Sequence, residues 1–258
     1  MAKVYAIISG KGGVGKTTTA INLGTALNNL GEDVIILDAN LTTPNIGIHL
    51  GAPIVPITLN HVLNNQAKIE DAIYEHESGT KIMPASLSLK ETERINYKNL
   101  SNITKKLKNI TNHIIIDCAA GLGEEARAAM NACDEMIIVT NPEMPAVTDA
   151  LKTIKLAEEM NKPVKGVIVT RYQGKKTEMP ISNIRDMLEA PIIGIIPEED
   201  AVKESQVMKN PVILTHPRSK SAKTYINTSK RILGETVRFE PQSSKGVFYI
   251  ILKKFGFR

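Results

Sequence analysis

A glycine-rich segment near the start of the chain has the residue types and spacing of a phosphate-binding loop. It reads GKGGVGKTT over residues 10–18 and fits the pattern G-x-x-x-x-G-K-[ST]. The glycines let successive backbone N–H groups point at phosphate oxygens, and the helix that follows adds its positive dipole end. Lys16 can reach the β- and γ-phosphates, and the Thr17 hydroxyl can coordinate Mg²⁺. The residues expected to bind nucleotide here are Gly10, Lys11, Gly12, Gly13, Val14, Gly15, Lys16, Thr17 and Thr18.

Two carboxylates stand at the ends of apolar runs that predict strands. Asp38 ends DVIILD, and Asp117 ends HIIID. Because doubly wound folds bind ligands at the carboxyl ends of their strands, we expect both carboxylates close to the phosphate loop. A carboxylate at this edge of the sheet would face the phosphate crevice. Capping of a strand end is the structural alternative for Asp117.

The elements that must position these residues alternate along the chain. Six runs rich in Ile and Val are nearly continuous, as in parallel strands buried on both faces. They span residues 3–9, 33–38, 113–117, 135–141, 164–170 and 190–196, and the helical patterns between them include 17–30, 89–110 and 145–160. This order predicts an α/β fold, with a doubly wound, mostly parallel sheet flanked by helices.

Composition narrows the class of protein. The 258 residues carry a net charge of +5, which suggests a polyanionic partner without separating nucleic acid from an anionic membrane. We find neither a signal-peptide pattern nor an apolar run of about 18–20 residues, the length of a membrane-spanning helix. The two cysteines do not form a C-x-x-C pair, so a reduced, cytosolic compartment is expected.

The last residues differ from the rest of the chain. Three of the four phenylalanines lie in GVFYIILKKFGFR, residues 246–258. Wound as a helix, this segment forms one apolar stripe with basic flanks, which favours insertion into a membrane interface. An added edge strand, or packing on the same chain or on a partner protein, are the alternatives. The stripe consists of Phe248, Ile251, Leu252 and Phe255, with Val247 at its edge.

The segment before this tail, RFEPQSSKG, is rich in Pro, Ser and Gly and predicts a linker. We therefore predict a nucleotide-binding domain over 1–238, a linker over 239–246 and an amphipathic, membrane-targeting tail over 247–258.

The form KGGVGKTT, with a second lysine at Lys11, resembles the deviant Walker A motif of the ParA/MinD superfamily of ATPases. The resemblance covers roughly residues 3–235. It continues through HIIIDCAAGLG and VTNPEMPAVTDALK, and through ILDANLTTPNIGIHLG, which is similar to the first switch segment of MinD proteins. It implies a P-loop ATPase in which Lys11 reaches the partner's phosphates across a nucleotide-sandwich dimer. Action of Lys11 within its own subunit is the alternative.

The resemblance also implies a catalytic set of Lys11, Lys16, Asp38 and Asn40. It implies a Mg²⁺ site of Thr17, Asp38 and Asp117, in which Asp117 acts through water. Asn40 stands where the family has a second aspartate that helps to position the attacking water. An amide can orient that water but cannot accept its proton. Because phosphoryl transfer depends mainly on positioning and charge, we expect hydrolysis that is slow without an activating partner.

Further segments resemble those that surround the nucleotide in the family. They are VTRYQ and GIIPEED, which line the adenine pocket there, and the glycine of the second switch segment. Threonine replaces the family's asparagine in the first of them, and no Asn-Lys-x-Asp motif for guanine is found at the corresponding strand end. We therefore expect ATP as the nucleotide. The residues implied are Gly121, Thr170, Arg171, Pro197 and Glu198.

As a whole, the resemblance implies an ATPase of the MinD branch that requires ATP and Mg²⁺. It implies a homodimer formed with ATP, reversible binding to an anionic membrane, and a location in the cytoplasm and on the inner face of the cell membrane. An unidentified activating or effector protein, and a role in positioning the division site or another structure, belong to the same expectation. The alternative is a ParA-like ATPase that binds DNA nonspecifically, and the apolar stripe of the tail disfavours it because DNA backbone binding has little use for apolar side chains.

Overall fold

The computed structural model describes residues 2–92 and 95–239. The predicted tail over 247–258 and all but the first residue of the predicted linker lie outside the described residues. The described strands are β1 Lys3–Ile8, β2 Val34–Ala39, β3 Tyr74–Glu75, β4 Lys81–Met83, β5 His113–Cys118, β6 Glu135–Thr140, β7 Val164–Tyr172 and β8 Ile192–Pro197.

Helices connect and cover these strands. Two 3₁₀ turns, Glu70–Ala72 and Tyr97–Asn99, accompany them. The α-helices among the described residues are α1 Lys16–Asn29, α2 Ile46–His49, α3 Leu59–Leu63, α4 Leu89–Thr92, α5 Leu100–Leu107, α6 Glu124–Ala132, α7 Met144–Glu159, α8 Ile181–Leu188, α9 Asp200–Val207, α10 Val212–Thr215 and α11 Lys220–Ile232.

The strands form one sheet in the order β3-β4-β2-β5-β1-β6-β7-β8. Every neighbouring pair is parallel except β3 with β4. Strand β1 lies between β5 and β6, so the chain crosses from one side of β1 to the other and opens a crevice at its carboxyl end. The predicted doubly wound, mostly parallel sheet is therefore confirmed.

Alternate residues of the central strands pack into two separate cores, one on each face of the sheet. In β1, Val4, Ala6 and Ile8 join one core, whereas Tyr5 and Ile7 join the other. The first core is covered by apolar residues of α5 to α8 and the second mainly by those of α1, α10 and α11. Burial on both faces explains why these strands are apolar without interruption.

The prediction of a single helix over 89–110 is wrong. In the described part of this stretch α4 is short and a 3₁₀ turn precedes α5. The asparagines divide it: Asn99 Nδ2 donates to the Leu63 carbonyl oxygen over 3.1 Å, and the backbone N of Asn96 donates to Asn64 Oδ1 over 3.3 Å. Such contacts compete with helical hydrogen bonds. The short strands β3 and β4 were not predicted.

Within residues 2–92 and 95–239, no helix is both long enough and apolar enough to cross a membrane.

Candidate functional site

The glycine-rich loop joins the end of β1 to the start of α1, at the carboxyl edge of the sheet. Gly13 and Gly15 have positive φ angles of 77° and 90°, so the loop needs residues without a Cβ at these turns. Gly15 caps α1, and its carbonyl oxygen accepts the first helical hydrogen bond from Thr19 N over 2.9 Å. The predicted strand–loop–helix arrangement is present, and the N-terminus of α1 faces the loop.

Gly10 is required for a different reason. A Cβ at this position would lie 2.5 Å from the Asp149 carbonyl oxygen, because α7 packs directly against the loop. Gly121, at the corresponding point after β5, has a φ of 84°, and its N–H donates to the Ser9 carbonyl oxygen over 3.1 Å. The loops after β1 and β5 are therefore held side by side.

Beneath the loop lies a compact cluster of charged side chains. Asp38 and Asp117 are paired in register on β2 and β5, and both are fully buried. Burial raises the pKa of Asp38, and the neighbouring Asp117 raises it further, although three backbone N–H donors oppose this. Burial lowers the pKa of Lys16, with the Asp117 charge opposing the shift. The protein thus holds two carboxylates in a place where water does not stabilise their charge.

Asp117 is the less satisfied of the two carboxylates. Among the residues that the structure describes, neither of its oxygens has a hydrogen-bond partner. Burial raises its pKa, and the Thr17 hydroxyl and Lys16 ammonium lie near enough to lower it again only in part. A divalent cation with oxygen ligands would compensate this charge, so Thr17, Asp38 and Asp117 fit the Mg²⁺ expected from the sequence. Neither carboxylate lines the pocket beside the phosphate loop, so both would act on the ion through water.

We expect Asp117→Asn to stabilise the nucleotide-free protein by about 1–3 kcal/mol at pH 8, because burial destabilises the Asp117 charge by more than Thr17 and Lys16 compensate. A carboxyl whose pKa is raised by folding is destabilising once it ionises. Stability of the wild type should therefore fall as the pH rises above about 4, and the variant should lose less. Urea denaturation in EDTA at pH 5 and pH 8 measures this.

Asp186→Asn is the matched control for this prediction, since Asp186 is exposed and pairs with the exposed Arg185. It should change stability by less than about 0.5 kcal/mol. Destabilisation of the free protein by Asp117→Asn would mean that the carboxylate is structurally paired, which contradicts the metal site.

The segment after β2 folds over the phosphate loop. Asp38 Oδ2 accepts hydrogen bonds from the backbone N of Asn45 and of Ile46, each over 2.9 Å, and so fixes the start of α2. Asn40 is buried and hydrogen-bonds to Thr43. Asn40, Thr43 and Asn45 line one pocket together with loop residues and Lys16. The structure thus brings Asp38 and Asn40 to the phosphate loop, as expected from the sequence.

An adjoining pocket lies on the other side of the loop, between the ends of β7 and β8. The four residues expected to contact adenine all line it, but the Thr170 hydroxyl is not free to donate a hydrogen bond to the base. Its hydroxyl lies 2.6 Å from the Val14 carbonyl oxygen and 2.8 Å from Asn141 Oδ1, so its proton is used within the protein. The pocket is lined by Val14, Gly15, Thr18, Thr170, Arg171, Ile196, Pro197, Glu198, Glu199, Val202, Lys203, Gln206 and Tyr225.

Several pocket residues were not found from the sequence. Gln206 of α9 lines both pockets, and its Nε2 donates to the Thr18 hydroxyl over 3.0 Å. His49 of α2 lines the phosphate side, with Nδ1 placed 2.9 Å from the Asn45 carbonyl oxygen. Asn45 had a signal, since it belongs to the segment similar to the first switch of MinD. Gln206 had none, because only the packing of α9 brings it to the loop.

Lys11 differs from Lys16 in its surroundings. Lys11 is exposed, whereas Lys16 is 8% exposed and lines the phosphate pocket. Lys11 does not line that pocket, although the Ser9 hydroxyl fixes its backbone by donating to its carbonyl oxygen over 2.6 Å. The two loop lysines therefore differ in accessibility: Lys16 faces inward, and Lys11 faces solvent.

The sheet, the loop after β1 and the two pockets define a P-loop ATPase. The AAA domain family matches residues 2–166 of the chain. Comparison with relatives and solved structures defines the family within this class. The septum site-determining protein MinD of Bacillus subtilis is 31% identical over 271 aligned positions that cover both chains completely. The chain belongs to the MinD family of ATPases.

Two solved structures support this placement. MinD of Pyrococcus horikoshii, complexed with Mg-ADP, is 34% identical with a TM-score of 0.86, over 90% of this chain and 96% of that one. MinD in the MinC:MinD complex of Aquifex aeolicus is 31% identical with a TM-score of 0.85, over 93% and 99% of the chains. The predicted family, and at family level the expected ATP and Mg²⁺, are confirmed.

Proposed function

We propose that the chain is an ATP-driven switch: it binds ATP with Mg²⁺, dimerises over the nucleotide, and then associates reversibly with an anionic membrane through its C-terminal tail. Hydrolysis separates the two subunits and releases the protein from the membrane. The process served is spatial positioning, at the division site or at another cellular structure. The protein would then divide its time between the cytoplasm and the inner face of the cell membrane.

The observation that carries this proposal is the exposure of Lys11 in the phosphate loop. A lysine that only neutralised its own subunit's phosphates would gain most by lining the phosphate pocket, as Lys16 does. Lys11 instead faces solvent beside that pocket. A charged side chain in this place is suited to phosphates that approach with a second subunit.

The chemistry follows from the cluster under the loop. Lys16 would neutralise the β- and γ-phosphates, and Thr17 would hold Mg²⁺, with Asp38 and Asp117 acting through water. Asn40 would orient the attacking water. Since an amide cannot accept the proton, hydrolysis would be slow until an activating protein binds. The Aquifex aeolicus protein is found with MinC, and we propose a partner of that kind, not yet identified, for this chain.

Membrane binding is proposed because of the tail sequence. One short amphipathic helix binds a bilayer weakly, but two on one dimer bind jointly with a gain in effective concentration. Dimerisation by ATP would thereby control membrane affinity. The apolar stripe also favours a membrane over DNA, the polyanion of the ParA-like alternative.

Lys11→Ala tests the proposal directly. We expect the variant to retain ATP affinity within about five-fold, because Lys16 and the loop backbone remain. It should lose ATP-dependent dimerisation, because the charge that reaches the second nucleotide is missing. Light scattering with ATP and Mg²⁺ should report a particle of 28.2 kDa for the variant and twice that mass for the wild type.

Lys223→Ala, which removes an exposed lysine of α11, is the control and should dimerise normally. If Lys11→Ala still dimerises with ATP, the lysine acts within its own subunit and the proposed sandwich is wrong.

A further inference from the structure

The side chain of Asn40 is held at both of its polar ends by one residue, Thr43. Asn40 Nδ2 donates to the Thr43 carbonyl oxygen, and Asn40 Oδ1 accepts from the Thr43 hydroxyl over 2.9 Å. A carbonyl oxygen can only accept, so the contact with the Thr43 carbonyl oxygen determines which end of the amide is the nitrogen. The backbone N of Asn40 is also fixed, since it donates to Asp38 Oδ1 over 3.3 Å.

We propose that Thr43 is a positioning residue for ATP hydrolysis: it holds the Asn40 amide in the orientation in which Oδ1 orients the attacking water. Both residues line the pocket that contains Lys16 and the phosphate loop. An amide oxygen has two lone pairs, so Oδ1 can accept from the Thr43 hydroxyl and from a water molecule together. The inference rests on the role proposed above for Asn40.

The same contacts explain how this chain uses an amide in place of the family's aspartate. A carboxylate at position 40 would have no hydrogen to donate to the Thr43 carbonyl oxygen, and the two oxygens would repel each other. An asparagine free to rotate would present its nitrogen to the water as readily as its oxygen. The Thr43 contacts remove that freedom, because a flipped amide would lose the hydrogen bond to the Thr43 carbonyl oxygen and bring two acceptor oxygens together.

The neighbouring threonine offers a matched comparison because its hydroxyl faces another element. Thr42 N and Oγ1 both donate to Glu125 Oε1, in the first turn of α6, over 2.9 and 2.7 Å. Thr42 and Thr43 are adjacent and both exposed, and the hydroxyl of each is hydrogen-bonded to another side chain. They differ in that only the Thr43 hydroxyl reaches Asn40.

The test compares steady-state ATP hydrolysis by the full-length protein with Mg²⁺ in three variants. Thr43→Val keeps the shape of the side chain and should lower kcat about 10-fold, because Asn40 Oδ1 loses the hydroxyl that fixes it and the amide is held at its nitrogen end alone. Its KM for ATP should stay within about two-fold, since the loop that binds phosphate is unchanged. Thr43→Ser restores the hydroxyl and should recover kcat. Thr42→Val should retain kcat within about two-fold.

A double-mutant cycle separates positioning from general loosening of the segment. Because Thr43 acts through Asn40, Thr43→Val should have no further effect on kcat once Asn40→Ala is present. Equal losses in Thr43→Val and Thr42→Val, or an additive loss in the double variant, would overturn the inference.

The cycle also distinguishes two kinds of failure. If Asn40→Ala lowers kcat but Thr43→Val does not, the positioning role of Thr43 is wrong and the role proposed for Asn40 stands. If Asn40→Ala leaves kcat unchanged, the role of Asn40 itself is wrong, and the inference about Thr43 fails with it.

Discussion

Replacing Lys16 with alanine is expected to weaken ATP binding about 100-fold or more, a loss of ~2.8 kcal/mol or more. Lys16 stands at the first position of α1, lines the phosphate pocket and is 8% exposed. Burial of its ammonium group is costly, and the pKa of Lys16 is lowered accordingly. Nucleotide phosphates would offset this cost through charge-assisted hydrogen bonds in a poorly hydrated site.

Isothermal titration calorimetry with ATP and Mg²⁺ measures the effect, and circular dichroism checks that the variant is folded. Lys223→Ala serves as the control, because it removes the same charge from an exposed position on α11. ATP affinity equal to that of the wild type in a folded Lys16→Ala protein would contradict the assignment of the phosphate site.

Deletion of residues 247–258 is expected to abolish ATP-dependent binding to anionic liposomes and to leave folding and ATP binding intact. Both nucleotide pockets are lined by residues before position 226. Insertion at a membrane interface requires the bulky apolar residues of the tail, and basic residues add about 1 kcal/mol each near an anionic surface. Co-sedimentation with liposomes, with and without ATP, measures the loss.

A double variant separates the effect of the apolar stripe on membrane binding from the effect of shortening the chain. Phe248→Glu combined with Leu252→Glu places charge on the inserted face and should match the deletion. Tyr249→Ser changes the polar side of the same predicted helix and should retain binding. Raising the salt concentration should weaken binding by the intact protein without eliminating it, because screening reduces only the electrostatic part.

Two results would contradict the membrane proposal. A deletion that destabilises the ATPase domain by several kcal/mol would show that the tail packs on its own chain. A truncated protein that still pellets with liposomes would place the membrane contact elsewhere.

The sequence by itself determined the phosphate loop and the central strands. The loop over 10–18 depends on local geometry, since its glycines and Lys16 lie within nine consecutive residues between a strand and a helix. Strands such as β5 and β6 are buried on both faces, and burial of that kind requires continuous apolar runs that are visible in any sequence. The start of α7 was predicted because Pro145 suits the first turn of a helix.

Local patterns misled where contacts from distant residues compete with them. The stretch 89–110 has helical character. However, Asn96 bonds to the residue just after α3 and Asn99 bonds to the last residue of α3, so the helix is divided. The strands β3 and β4 have only two and three residues. Elements of that length have no periodicity to detect and exist because a neighbouring strand pairs with them.

Only the tertiary structure decided how the side chains around the nucleotide site are used. The Thr170 hydroxyl supports Val14, which is 156 positions away, and Gln206 reaches Thr18 from a distance of 188 positions. The direction of the Asn40 amide depends on a turn that brings Thr43 back onto it. Hydrogen bonds of this kind require the donor and the acceptor to be placed within about an ångström and to be correctly oriented. That placement is set by the packing of the helices and strands, and it cannot be read from the order of the residues.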